Sequence, residues 1–250
     1  MSSVIKEREC KNPFFIDLPQ RSDDVFFVIE FPYGYANETD SQFGLGHYYE
    51  HYVGELLLRM GLDISGSIGL HDMRYEMKTT KKRAQKDIAR VVSFFNTPLP
   101  DVPEIVSSEK DRVLMELLER QSDPLFHMRE LTLGSCIQKP ARFRRPRWAQ
   151  VDTVEKMTVH DMVTLHHTLV TAFSPAVAIG GYRFSATEKR MIEKELAPLR
   201  LDEKTNIPEI PLATFSPRKV SRIHTPLVPR GATRCAFFFP AYPLPHELVD

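Results

Sequence analysis

The chain has 250 residues, a formal net charge of zero, and 42% hydrophobic and 26% charged residues. This composition is typical of a globular protein with a sizeable core, and the absence of net charge argues against nucleic acid or an anionic membrane as a partner. Cys10, Cys136 and Cys235 lie far apart, so neither a disulfide framework nor a cysteine zinc site is indicated. Neither a signal peptide nor a membrane-spanning run is visible, and we expect a cytoplasmic location.

The first third of the chain predicts two strands around one helix. Asp24–Phe31 is apolar and rich in β-formers, which indicates a buried strand. After a polar loop, apolar residues at helical spacing predict a helix over about Phe43–Met60. Three glycines within Gly61–Gly69 predict a tight connection. The alternation of Met73–Thr79 then predicts a strand with one solvent-facing side.

The rest of the chain is mostly helical in its pattern. Lys81–Asn96 is clearly amphipathic, and the prolines that follow it end the helix. Strands and helices are interspersed without strict alternation, so the predicted class is α+β. The remaining predicted elements are helices over Glu104–Gln121 and Pro124–Leu133, a loop over Lys139–Trp148, a helix over Val159–Val170, a strand over Ser174–Ile179, a helix over Lys189–Leu199, a linker over Leu201–Pro217 and a strand over Thr233–Phe239.

The most informative motif is the pentapeptide from His47 to His51, which has the pattern H-x-x-E-H. Residues four apart lie on one face of a helix, so His47 and His51 would present two imidazole nitrogens to a metal ion. Glu50 lies beside them as a candidate general base, and a catalytic zinc site needs such a base in addition to its ligands. The pattern is the zincin motif in reverse order. The alternative is a solvent-facing helix with scattered His and Glu.

A catalytic zinc ion needs a third protein ligand. Glu109 and Glu116 on the predicted helix Glu104–Gln121 are candidates, because residues seven apart share one face. Apolar neighbours suggest that Glu116 is partly buried, and a buried carboxylate needs a partner. Glu109 would then lie one step further out and support a ligand. The alternative is that both are ordinary surface acids.

These segments resemble the pitrilysin-type metallopeptidases, the inverzincin family that includes insulin-degrading enzyme and the mitochondrial processing peptidases. Gly44–His51 is similar to their zinc helix, and Val113–Glu116 is similar to the segment that carries their third ligand. Phe94–Leu99 resembles the end of the helix between the two. The resemblance covers about Val25–Leu199 and implies a mixed, largely antiparallel sheet packed against several helices.

Carried over residue by residue, the resemblance implies that His47, His51 and Glu116 bind Zn²⁺. It implies that Glu50 is the general base and that Glu109 is a supporting acid of the catalytic group. The implied reaction is hydrolysis of peptide bonds in peptides or unstructured segments. The alternative function is a non-catalytic subunit that uses the same fold for peptide binding or assembly.

The family also implies that the peptide substrate adds as a strand to a sheet edge. The candidate edge is Met73–Thr79 or the segment just before it. Two features depart from the family pattern. The separation of His51 and Glu116, 116 − 51 = 65 residues, is shorter than usual, and the Asn-Ala dipeptide of the family's substrate strand is not recognisable in Ser65–Gly69.

Residues 1–213 are predicted to form the metallopeptidase domain, and residues 214–250 a linker and the first strand of a truncated second domain. Family members pair this domain with at least one more of similar fold, which closes a chamber around the peptide. We therefore expect the chain to be a fragment or to work with a second pitrilysin-like chain, in a heterodimer or a homo-oligomer. Weak or no activity is expected from the chain alone.

Overall fold

The computed structural model describes residues 13–19, 21–139, 144–199 and 214–215. The strands are β1 Phe14–Asp17, β2 Asp24–Phe31, β3 Asp63–Ile68, β4 Met73–Thr80, β5 Ile137–Lys139, β6 Ala176–Gly181 and β7 Thr214–Phe215. The helices are α1 Leu45–Arg59, α2 Lys81–Phe95, α3 Pro103–Ser122, α4 Pro124–Cys136, α5 Val151–Val154, α6 Val159–Ala172 and α7 Ala186–Leu196.

Five strands form the main sheet in the order β1-β6-β2-β4-β3. The pair β1–β6 is parallel, and the other three pairs are antiparallel. A separate antiparallel pair joins β5 to β7. This arrangement confirms the predicted α+β class with a mixed, largely antiparallel sheet.

The helices pack on one face of the sheet because the strands alternate. Every second side chain of β2 is fully or almost fully buried, and β4 shows the same period of two. The ring of Phe95 on α2 lies 5.1 Å from the ring of Phe31 and 5.5 Å from the ring of Tyr75, measured between centroids. These aromatic contacts fix α2 over the centre of the sheet.

The prediction of a tight connection over Gly61–Gly69 was wrong, because β3 forms there. Serine and glycine have low β-propensity, so the strand's hydrophobic signal is weak. Among the described strands, β3 pairs with β4 alone and is one edge of the main sheet, and β1 is the other. Met73–Thr80 is an interior strand between β2 and β3, so it is not an edge. Of the two candidate segments, the one just before it lies at an edge.

The other predicted elements that fall within the described residues agree with the structure to within a few residues. Strand β1, the short pair β5–β7 and helix α5 were not predicted. A 3-10 helix over Arg147–Gln150 lies at the end of the predicted loop Lys139–Trp148. The predicted strand Thr233–Phe239, and all of the predicted linker except residues 214–215, lie outside the described residues. Within the described residues, every helix is too short or too polar to cross a membrane.

Helix α1 crosses α3 and is fixed to the start of α3 by two tyrosines. The hydroxyl of Tyr48 donates to the carbonyl of Val106 at 2.6 Å. The hydroxyl of Tyr52 donates to the carbonyl of Pro100 at 2.7 Å and accepts from the amide of Val102 at 3.0 Å. Buried hydroxyls need such partners. The contacts set the register of α1 against α3 and therefore the position of the site between them.

Candidate metal centre

Glu38 anchors the beginning of α1, just before the motif. Its Oε2 accepts a hydrogen bond from the amide of Gly44 at 2.8 Å, and its Oε1 accepts from the amide of Gly46 at 2.7 Å. The first amides of a helix lack partners within the helix, and a carboxylate satisfies them. Burial raises the pKa of the Glu38 carboxyl to about 8, although the two backbone hydrogen bonds and Arg145 lower it. Glu38 was not predicted from the sequence.

Gly44 provides the turn into α1. Its φ of 100° lies in the left-handed region, which favours glycine. A Cβ at this position would also lie 2.9 Å from side-chain atoms of Gln150 and Val154. The turn at Gly44 and the two hydrogen bonds to Glu38 therefore determine where α1 begins.

The two histidines and Glu116 come together between α1 and α3. Oε2 of Glu116 lies 3.4 Å from Nε2 of His47 and 3.1 Å from Nε2 of His51. The three candidate ligand atoms all lie within 4.8 Å of one another. A tetrahedral zinc ion with bonds of about 2.1 Å separates its ligand atoms by about 3.4 Å. The donor set of two imidazole nitrogens and one carboxylate oxygen therefore fits Zn²⁺ in type and in spacing.

Electrostatics favour the metal-binding forms of two of these groups. Burial lowers the pKa of His47, although its hydrogen bond to Glu116 opposes the change. Hydrogen bonds from His47 and His51 hold the pKa of the Glu116 carboxyl well below its usual range. A neutral imidazole and a carboxylate are the forms that bind metal ions.

His51 differs from His47 in its charge balance. Burial lowers the pKa of His51, but the hydrogen bond to Glu116 and the charges of Glu50 and Glu109 outweigh burial and raise it. Because a metal ion binds the neutral imidazole, it competes with a proton at His51 more than at His47.

Glu109 lies outside the ligand group, on the far side of His51. Its Oε2 is 3.6 Å from Nδ1 of His51, and Nη1 of Arg112 lies 3.0 Å from both of its oxygens. A carboxylate behind a metal-binding imidazole orients the ring and sets its tautomer. His47 has no equivalent support, since its buried Nδ1 lacks a hydrogen-bond partner within the described residues.

Glu116 is partly buried, as the sequence suggested, and Glu109 is the more deeply buried of the two. The side chain of Glu109 is 3% exposed, whereas that of Glu116 is 31% exposed. The reason is a row of buried residues spaced four apart on α3, in which Glu109 takes one position: Ile105, Glu109, Val113 and Leu117. Glu116 precedes Leu117 in the sequence, so it points to one side of this row and is only partly buried.

Glu50 lies between the histidines and the edge of the sheet. Burial raises its pKa to about 7, while His51 lowers it, Glu116 raises it and Arg120 lowers it. Strand β3 passes close to this side chain, because a Cβ at Gly66 would lie 2.7 Å from Cγ of Glu50 and 3.3 Å from its Oε1. The glycine permits this close approach.

Arg120 is the other residue of the site that was not predicted. It follows Glu116 by one helical turn on α3, and its Nη2 contacts Oε1 of Glu116. The i,i+4 spacing of acid and base is visible in the sequence and is the signal that could have identified it.

Neither a protein-family model nor a curated protein matches the chain. Solved structures do match. A protease from Helicobacter pylori aligns with a TM-score of 0.65 and 16% identity, over 83% of this chain and 53% of that chain. The first half of the periplasmic protease PqqL from Escherichia coli aligns with a TM-score of 0.65 and 16% identity, over 79% and 46%. An M16-like peptidase from Alicyclobacillus acidocaldarius aligns with a TM-score of 0.57 and 14% identity, over 77% and 47%.

The chain has the fold of the M16-like peptidases. The resemblance to pitrilysin-type proteins is thereby confirmed at the level of the fold. The chain spans about half the length of these three solved chains.

Proposed function

We propose that the chain is a zinc-dependent peptidase that hydrolyses peptide bonds in peptides or unstructured segments. The observation that carries the proposal is the position of Glu116 Oε2, 3.1 Å and 3.4 Å from the Nε2 atoms of His51 and His47. His47, His51 and Glu116 would hold Zn²⁺, and Glu109 would orient His51. The M16-like fold supports this function.

The chemistry assigned to Glu50 is proton transfer. A bound zinc ion would polarise the peptide carbonyl and lower the pKa of a water molecule to about 7. Glu50 accepts a proton from the attacking water and returns it to the leaving amine. Burial raises the pKa of the Glu50 carboxyl in the metal-free chain, and a carboxyl with a raised pKa is a stronger proton acceptor than an ordinary glutamate.

The peptide would bind along β3. An edge strand offers unpaired backbone N–H and C=O groups, and an extended peptide can pair with them. Strand β3 runs past Glu50 at Gly66, so a peptide added at this edge would pass the proposed base. This geometry supports β3, rather than Met73–Thr79, as the substrate strand.

A second pitrilysin-like chain is part of the proposal, as a heterodimer or a homo-oligomer. The support is the length of the matched solved chains, of which this chain spans about half. The division into residues 1–213 and 214–250 and the cytoplasmic location remain predictions.

The proposal is tested by cleavage of a quenched fluorescent peptide with increasing concentrations of the full chain. We expect weak cleavage by the chain alone, which a chelator abolishes and Zn²⁺ restores, and His51→Ala should remove both zinc and activity. A rate per chain that rises with concentration would indicate a homo-oligomer. A wild-type chain that binds no zinc would contradict the proposal and favour the non-catalytic subunit.

A further inference from the structure

The two oxygens of Glu116 have different partners. Oε2 faces the two imidazoles, whereas Oε1 contacts Nη2 of Arg120. Arg120 lies four residues after Glu116 on α3, so both side chains project from the same face of the helix. The carboxylate is therefore held from the side opposite to the ligand group.

This contact matters because Glu116 is the least constrained of the three candidate ligands. Its side chain is 31% exposed, whereas that of His47 is 4% exposed and that of His51 is 18% exposed. A partly exposed glutamate has several rotamers available and can turn either oxygen toward a metal ion. A guanidinium that binds one oxygen leaves the other as the ligand atom.

Arg120 is itself held by α4. Its guanidinium lies 5.6 Å from the ring centroid of Phe126, a favourable cation–π distance. The guanidinium of Arg147 lies 4.8 Å from the same ring, and its Nη2 donates to Oε1 of the buried Glu130 at 3.0 Å. The ring of Phe126 is therefore held by Arg147 as well as by α4 itself, and its contact with the guanidinium limits the conformations of Arg120.

We propose that Arg120 is a positioning residue that presents Oε2 of Glu116 as the third zinc ligand, and that Phe126 holds Arg120 in place. The inference rests on the proposed zinc site and concerns how the site keeps Glu116, its most exposed candidate ligand, in position. Arg120 acts through Glu116, since it contacts the oxygen that faces away from the histidines.

The test is the zinc dissociation constant of the full chain, measured by competition with a chromophoric chelator. Loss of a residue that supports a metal ligand typically weakens binding by about 10- to 100-fold. We expect a loss in this range for Arg120→Met, a loss below about tenfold for Arg120→Lys, which keeps a cation, and an intermediate loss for Phe126→Leu. The visible absorption spectrum of the Co²⁺-loaded chain should change in Arg120→Met, because the carboxylate then binds differently.

Arg59→Met is the matched control. Arg59 forms an i,i+4 pair with Glu55 at 2.8 Å on α1, and within the part of the chain that the structure describes no hydrogen bond or ion pair joins it to the ligand group. We expect its zinc affinity to stay within twofold of the wild type. Circular dichroism of the metal-free variants tests whether they fold. If Arg120→Met does not fold, the zinc dissociation constants of Arg120→Lys and Phe126→Leu test the inference in its place.

Three results would overturn the inference. Arg120→Met with wild-type zinc affinity and a wild-type Co²⁺ spectrum would refute it while leaving the zinc site intact. Equal losses in Arg120→Met and Arg59→Met would show a general effect on helix stability. A wild-type chain that binds no zinc would refute the proposed function as well.

Discussion

The two sides of the candidate metal centre are built differently. On α1, His47 and His51 lie on a helix whose first amides are held by the buried carboxylate of Glu38. On α3, Glu116 lies at the border of the buried row, and a charged contact with Arg120 holds it. Anchoring of the helix therefore sets the place of both histidines, and Glu109 contacts one of them, whereas a contact with its own side chain holds the candidate ligand of α3. Substitutions on the two sides should separate folding from metal binding.

The largest expected effect comes from Glu50, the residue of α1 that is not a ligand. Glu50→Gln keeps the size of the side chain and removes the proton acceptor. We expect peptide cleavage to fall by about 10²- to 10⁴-fold, because general base catalysis contributes that much. Zinc content should be unchanged. Full activity in a zinc-loaded Glu50→Gln chain would sink the mechanism, whatever the state of the metal site.

The next effect concerns how α1 is anchored. Glu38→Ala leaves the amides of Gly44 and Gly46 without their acceptor, and we expect the free energy of unfolding to fall by about 2 kcal/mol. Urea titration of the metal-free chain measures this change. The control is Asp40→Ala in the same loop, whose exposed pair with Arg145 should contribute less than about 1 kcal/mol. Equal stability of the two variants would show that Glu38 does not anchor the helix.

A smaller effect is expected at the contact between β3 and Glu50. Gly66→Ala places a methyl group against the Glu50 side chain and displaces it, so cleavage should fall by about tenfold, the scale set by a small misplacement of a catalytic group. Zinc content should stay the same. Gly54→Ala on α1 is the control, since a Cβ there meets no atom within 4 Å. If both alanine variants cleave the peptide at the wild-type rate, β3 does not pack on the base.

The smallest effect is a pH dependence in the core behind α1. The hydroxyl of Tyr49 donates to Nδ1 of His166 at 2.7 Å, and Nε2 of His166 donates to the carbonyl of Thr97 at 2.9 Å. Both nitrogens are thus used by the neutral ring. Burial lowers the pKa of His166, the hydrogen bond to Thr97 opposes this, and His167 lowers it further.

The sign of this effect follows from the lowered pKa. Below its ordinary pKa of 6.5, histidine takes up a proton more readily in the unfolded chain, so stability falls as the pH drops below about 6.5. We expect His166→Gln to remove roughly 1 kcal/mol of the stability change between pH 7 and pH 5. Thr164→Gln, a substitution of an exposed, non-titrating residue on the same helix, should keep the wild-type slope in urea titrations at each pH. Identical slopes for all three proteins would contradict the prediction.

The α1 side of the site could be predicted from the sequence, because its signal is local. The spacing of His47 and His51 on an amphipathic helix is enough to place both rings on one face. The apolar neighbours of Glu116 favoured it over Glu109, but a surface position for both stayed open until the family resemblance was added. Glu38 gives no periodic signal, because it reaches the helix from a preceding loop.

The depth of Glu109 and the nature of β3 were misjudged for two physical reasons. Tertiary packing buries the row on α3 that contains Glu109, and Arg112 compensates its charge. The serines and glycine of β3 suppress the hydrophobic pattern of a strand, yet Gly66 is what allows β3 to approach Glu50. In both places, tertiary contacts outweigh the local structural preference of the sequence.

The central claim is that His47, His51 and Glu116 together bind one zinc ion. The most direct measurement is the zinc content per chain of the purified wild type and of Glu116→Gln, determined by elemental mass spectrometry after dialysis against metal-free buffer. We expect about one zinc ion per wild-type chain and little or none in the variant. A wild type without zinc, or a Glu116→Gln chain that retains a full equivalent, would contradict it.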